Sequence, residues 1–255
     1  MGKKVIIITA SVLTGIVAVM TVLCLIFVDD KNVQYEYFKI NSGGAVDAPA
    51  KIVHLSDLHF PKIKVNIDKM VARISAENPD AIAITGDLID KKAKVASCGV
   101  FEFIDKIKII APIYYIAGNH EEMNKQSPLL YDYLNKSGAK IYSNSFAIDR
   151  YGVWLFHKPQ FFQENEGDVV CEDPKPDDYV PINYGLILAG HIHGGQVRVF
   201  GIGLLSPDTF MFPKYTSGMY RDHDTRMIVS RGLGNSIFPF RFNNRPHVPI
   251  IQINP

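Results

Sequence analysis

From Lys51 onward the chain is punctuated by short apolar runs: Ile52-Val53-His54-Leu55, Ala81-Ile82-Ala83-Ile84, Ile113-Tyr114-Tyr115-Ile116, Val153-Trp154-Leu155-Phe156 and Leu186-Ile187-Leu188-Ala189. Each is too short for a helix and continuous rather than alternating, the pattern of strands buried on both faces. Helical periodicity between them predicts helices over residues 66–77 and 95–107. A third is expected over 128–136, with Pro128 at its start and Gly138 just past its end. Strands alternating with helices predict an α/β fold with substantial parallel pairing. Residues 32–40, with Val33, Tyr35, Tyr37, Phe38 and Ile40, predict a further strand, ended by the turn Asn41-Ser42-Gly43-Gly44. After His193, residues 196–200, 227–230 and 248–253 predict strands among Gly- and Pro-rich loops.

Ahead of this alternation, residues 5–28 contain no charged side chain. As a helix they would span roughly 36 Å, enough to cross a hydrocarbon core of about 30 Å. A soluble amphipathic helix would carry a polar stripe, and this run offers only Thr9, Ser11, Thr14 and Thr21. A cleaved signal peptide would have a shorter apolar stretch and a small-residue cleavage site, whereas the run ends Leu25-Ile26-Phe27-Val28-Asp29-Asp30. The expectation is one uncleaved transmembrane helix in the cell membrane. Lys3 and Lys4 precede it, and Asp29 and Asp30 follow, so the N-terminus should be cytoplasmic and the following domain extracytoplasmic. The expected organisation is an anchor over 1–28, a connector with an edge strand over 29–50, and a domain over 51–255.

Composition adds exclusions. The 255 residues are 47% hydrophobic and 21% charged, which excludes a wholly disordered chain. Lys+Arg is 27 against 26 for Asp+Glu, so net charge gives no reason to expect a nucleic-acid partner. Cys24, Cys98 and Cys171 lack metal-binding spacing. Outside the apolar run they allow at most one disulfide, Cys98–Cys171.

The chemistry lies where the apolar runs end. In order, they empty into Ser56-Asp57-Leu58-His59, Gly86-Asp87-Leu88-Ile89-Asp90, Gly118-Asn119-His120-Glu121, His157-Lys158-Pro159 and Gly190-His191-Ile192-His193-Gly194-Gly195-Gln196. Ligands of open α/β sheets bind beyond the carboxyl ends of the strands, so these clusters should converge. Carboxylates, imidazoles and one amide oxygen suit Mn, Fe or Zn rather than Ca, Mg or a structural thiolate site. Glycines beside Asp87, Asn119 and His191 would let backbone approach an ion or phosphate closely. Elsewhere, His54 should be a core histidine, and His223 and His247 should be surface residues. Arg231 and Arg241 should pair or pack, and Phe210-Met211-Phe212 should pack in core or loop.

These blocks, in this order, resemble the calcineurin-like metallophosphoesterases, in particular the bacterial branch with an N-terminal membrane segment or export signal. The tails Arg231-Gly232-Leu233-Gly234-Asn235-Ser236 and Pro239-Phe240-Arg241-Phe242 resemble that branch too, and the resemblance runs from about Tyr35 to the C-terminus. It implies a β-sandwich flanked by helices, in four layers α/β/β/α. It also implies two divalent metal ions (Mn, Fe or Zn). Asp57, His59 and His193 would hold one, Asn119, His157 and His191 the other, and Asp87 would bridge them. The implied activity is hydrolysis of phosphate mono-, di- or pyrophosphate esters by a metal-bridging hydroxide. His120 would be catalytic, stabilising developing charge or protonating the leaving group, while Asp90 and Glu121 would orient ligands or fix loops. Residues 141–156 are compressed relative to that branch, which bears on substrate contacts and leaves the ligands in place. The short connector would hold the domain near the bilayer, so a lipid-linked phosphate (a phospholipid or sugar-nucleotide lipid) is an expected substrate. Two other classes compete. A non-catalytic metal-binding scaffold would need a lost ligand, and none is lost. A nuclease would want a basic groove.

Overall fold

The protein is described here from a computed structural model covering residues 9, 12–19, 21–22, 28–43, 46–142, 145–148, 153–158, 185–206, 211–222, 225–235 and 239–255. Two sheets carry the fold. The first contains β1 (Gln34–Asn41), β2 (Ala50–Leu55), β3 (Ala81–Thr85), β4 (Ile113–Ile116), β5 (Lys140–Tyr142) and β13 (His247–Asn254), in the order β1-β13-β2-β3-β4-β5. The second contains β6 (Ser145–Ile148), β7 (Val153–Phe156), β8 (Leu186–Ala189), β11 (Gly218–Asp222) and β12 (Thr225–Val229), in the order β11-β12-β8-β7-β6. β2, β3, β4 and β5 are parallel neighbours, as are β7, β8 and β12. A small hairpin, β9 (Arg198–Val199) with β10 (Ile202–Gly203), stands apart from both sheets.

Alternation along the buried strands decides what each face meets. Val53, Leu55, Ile82, Ile84, Ile113 and Tyr115 join one core with the helices α1 (Ile67–Glu77), α2 (Val100–Lys108) and α3 (Ser127–Lys136). Their neighbours Ile52, Ala81, Ala83, Tyr114 and Ile116 face the second sheet, against Val153, Leu155, Leu186, Leu188 and Ile228. The layers among the described residues are therefore helix, sheet, sheet. The outer face of the second sheet carries Phe156, Ile187, Met227 and Val229, with Tyr215 against them. The expected outer helical layer is not seen among the described residues, and residues 159–184, between β7 and β8, lie outside them.

Local signals set the helix bounds. Asn66 caps α1 by accepting the Lys69 N–H at 2.9 Å, and Asn78 ends the helix in the left-handed region. The helix expected over 95–107 is divided instead. A 3₁₀ turn at Val95–Ser97 stops at Gly99, whose φ of +87° cannot continue a right-handed helix, and α2 starts after it.

The N-terminal expectation is not seen. Residues 12–19 are helical and expose Val12, Leu13, Ile16, Val17 and Val19. No helix among the described residues is long and apolar enough to cross a membrane, and much of the 5–28 run lies outside them. Cys98 is a buried free thiol, and Cys171, His223 and Phe210 lie outside the described residues. His247 is a correction. It is fully buried at the start of β13, with Nε2 3.0 Å from Glu36 Oε2, because β13 is a central strand of the first sheet.

Candidate metal centre

β2, β3 and β4 end on one edge of the first sheet, and β7 and β8 end on the facing edge of the second. The five clusters meet across these two edges rather than on one sheet. Two bonds tie the edges together: the Asp57 carboxylate accepts the His191 N–H at 3.0 Å, and His157 Nδ1 donates to the Thr85 carbonyl at 2.8 Å.

The loops make this approach by unusual backbone. Asp57, His59, Asp87, His191 and His193 all have φ between +49° and +71°. Each such residue that is not glycine costs about 1–2 kcal/mol, and strain of this kind concentrates at functional sites. Gly118 and Gly190 supply the close approach. A Cβ on Gly118 would collide with Asp87 Oδ1, and one on Gly190 would lie 2.6 Å from Asp57 Oδ2.

Two groups of ligand atoms result. Asp57, His59 and His193 each offer one ligand atom within 4.8 Å of the others. His59 Nε2 and His193 Nε2 are 3.0 Å apart, and His193 Nε2 is 3.9 Å from Asp57 Oδ1. Asp87, His157 and His191 form the second group, and Asn119 joins it through Oδ1, 3.0 Å from His157 Nε2. Asp87 lies between them, with Oδ2 3.7 Å from His59 Nε2 and Oδ1 3.4 Å from His157 Nε2. Every sequence-derived ligand is thus in one place. His59, Asp90 and His120 form a third, overlapping group.

The donor set fits a cation. His157 Nδ1 donates to the Thr85 carbonyl at 2.8 Å, which leaves Nε2 as the ring atom turned into the site. Nε2 lies 3.0 Å from Asn119 Oδ1, 3.4 Å from Asp87 Oδ1 and 3.1 Å from His191 Nδ1. Nitrogen and oxygen donors gathered this closely suit one shared cation. Burial keeps His59 and His193 in the neutral form that ligates. It holds His59 well below its ordinary range and His193 at about 3. Asp87 is driven well above the carboxylate range by burial and then by the charge on Asp57, strain that a bound cation would relieve.

The supporting residues are clear in the structure. Glu121 is buried and accepts the backbone N–H groups of Asp87, Ile89 and Gly118 at 2.7–2.9 Å, clamping two ligand loops together. Burial and the Asp87 charge push it up to about 8. Asp90 pairs with Lys62 at 2.6 Å and lies 3.5 Å from His120 Nδ1. The Lys91 N–H donates to His120 Nδ1 at 3.1 Å, which places the neutral ring's proton on Nε2, 3.9 Å from Asp87 Oδ2. Burial brings His120 down to about 4.

Sequence reasoning missed three supports. Ser56 donates to Asp57 Oδ2 at 2.6 Å, and Asn244 donates to the His193 carbonyl at 2.8 Å. Arg241 is fully buried, donates to the Arg231 carbonyl at 2.8 Å and lies 3.3 Å from His193 Nδ1. Ser56 stands beside the first ligand, a signal that was available. Nothing in the sequence ties Asn244 to His193. His54 is the buried core histidine expected, 2.8 Å from Thr85 Oγ1.

A Bacillus subtilis protein named uncharacterized metallophosphoesterase YkoQ is 26% identical over 246 residues, covering 88% of this chain and 91% of its own. The Escherichia coli phosphodiesterase YaeI is 24% identical, covering 85% of each chain. Among solved structures, a Pseudomonas putida nuclease MPE aligns with a TM-score of 0.40 at 15% identity, covering 73% of this chain and 76% of that one. The family model for calcineurin-like phosphoesterases matches residues 50–195, the stretch from β2 through the His191/His193 loop. The chain belongs to the calcineurin-like phosphoesterase family.

Proposed function

We propose that the chain is a dinuclear metal-dependent hydrolase of phosphate esters. Asp57, His59 and His193 would hold one ion, Asn119, His157 and His191 the other, and Asp87 would serve both. The observation that carries this reading is the gathering of nitrogen and oxygen donors around His157 Nε2, with Asp87 placing one oxygen toward each group. Divalent ions of the Mn, Fe or Zn class, when bound, supply acidified water and charge stabilisation at phosphorus. His120 is held neutral with its proton on Nε2, so it donates a hydrogen bond to an oxygen gaining charge. Glu121 keeps the Asp87 and Gly118 loops in register.

A phosphodiester substrate is supported by the E. coli relative's name. The apolar 5–28 run supports placement of the enzyme at a membrane, N-terminus inside and domain outside, acting on a lipid-linked phosphate or pyrophosphate. The test is release of nitrophenol from mono- and bis(4-nitrophenyl) phosphate by the full chain loaded with Mn, Zn, Fe, Co or Ni. Turnover with at least one metal, abolished by chelator, is expected. No turnover with any of them would remove broad phosphoesterase activity.

A further inference from the structure

The apolar run at the N-terminus does not hang from a free leash. Val28 already forms an antiparallel bridge with Phe242, and the Asp29 N–H donates to the Arg241 carbonyl at 3.3 Å. Asp29 pairs with Arg245 at 3.2 Å, and Asp30 pairs with Lys64. The domain therefore grips the chain at the residue where the apolar run ends, with no spacer between them.

A narrow ribbon leads away from that grip. Phe242 also bridges Val197 in parallel, the Leu204 N–H donates to the Val197 carbonyl at 2.9 Å, and the Phe212 N–H donates to the Leu204 carbonyl at 2.9 Å. Strand neighbours lie about 4.8 Å apart, so the base of the β9–β10 hairpin, at Val197 and Leu204, lies within about 15 Å of the exit of the apolar run. The ribbon presents apolar side chains to solvent. Phe200, at the hairpin tip, is 97% exposed, Ile202 58%, Phe212 64% and Met211 52%. The same ribbon starts four residues after His193, and Asn244 ties its base to the His193 carbonyl.

We infer that Phe200, Ile202, Met211 and Phe212 form a docking surface for a lipid bilayer, seating the metal-ligand rim against the headgroups. The inference rests on the proposed membrane placement of residues 5–28. With no spacer after Val28, a bilayer that holds the apolar run must lie against this face. Exposed aromatic and aliphatic side chains are the groups that enter a headgroup–acyl boundary. The packing in core or loop expected for Met211 and Phe212 does not occur, since both are exposed. Exposed Lys214 follows them and suits an anionic surface.

The experiment uses the full chain in phosphatidylcholine vesicles brominated on the acyl chains, with Phe200→Trp as reporter and Phe212→Trp as a second. Trp154 is the sole native tryptophan and sets the background. Ile109→Trp is the control: Ile109 is 81% exposed at the C-terminal end of α2, which precedes the start of β4, so it lies at the end of the first sheet opposite the metal rim. An interfacial side chain sits about 5–10 Å into the boundary, so both reporters should lose fluorescence roughly twofold or more relative to unbrominated vesicles, and the control should not. Vesicle-bound protein whose reporters are quenched no more than the control overturns the docking surface alone. Blue-shifted but unquenched reporter emission overturns it too, since a second copy or the chain itself then covers the hairpin. Protein that fails to float with vesicles overturns both the membrane placement and this inference, while the nitrophenol assay reads the hydrolase proposal separately.

Discussion

Asp87 is placed where a bare carboxylate is least stable: buried, in the left-handed region and beside the charge of Asp57. Two consequences follow from one side chain. Asp87→Asn keeps the shape and the acceptor for the His120 N–H but loses the charge, so turnover should fall by a factor on the order of 10³ or more. In chelator, the same variant should melt at a higher temperature than the parent chain, since a buried repulsive charge has gone. Lower stability without metal would place Asp87 in the framework rather than the site. Glu121→Ala should behave in the opposite way. It leaves the N–H groups of Asp87, Ile89 and Gly118 buried without an acceptor, each costing about 1–3 kcal/mol, so stability and turnover should drop together in melting and nitrophenol assays. The convergence of these residues was legible because Asp, His and Asn stood where apolar runs ended. Their left-handed backbone was not, since glycine alone announces that conformation in a sequence. The burial of Arg241 and His247 was equally hidden, because residues of these types are seldom fully buried.

At the scale of elements, each four-residue apolar run became a strand, because a short continuous apolar segment has no other way to bury both faces. The run itself does not say which sheet it joins, so the division of β2–β4 from β7 and β8 had to come from the structure. β5 and β11 were missed for the same physical reason: Lys140 and Arg221 give them the polar character of sheet-edge strands. The helices act as the buttress behind the ligand loops. Phe103 of α2 is buried against Phe60, which follows His59, with ring centroids 5.4 Å apart. Phe103→Ala should cost about 3–5 kcal/mol in denaturant unfolding. A loss below about 1 kcal/mol would mean that the helix layer collapses readily into the space.

For the whole molecule, buried titratable groups set a pH profile in the metal-free state. Glu121, raised to about 8, binds a proton more tightly folded than unfolded, so its contribution grows as pH falls through about 8, and Asp87, raised well above the carboxylate range, acts in the same direction. His54 and His193, lowered to about 3, and His120 and His247, lowered to about 4, bind protons less tightly folded. They withdraw stability as pH falls below their unfolded value of 6.5. With His59 lowered as well, five imidazoles outweigh two carboxyls, at about 1.4 kcal/mol per group per pH unit, so the melting temperature in chelator should peak near pH 6.5. A profile that falls steadily from pH 5 to pH 9 would mean that these histidines are protonated in the fold.

The most direct measurement is the number of manganese ions the full chain keeps after loading and desalting, read by elemental analysis. Two per chain is expected, falling in Asp87→Asn. A well-folded chain that keeps none is incompatible with a metal-holding rim.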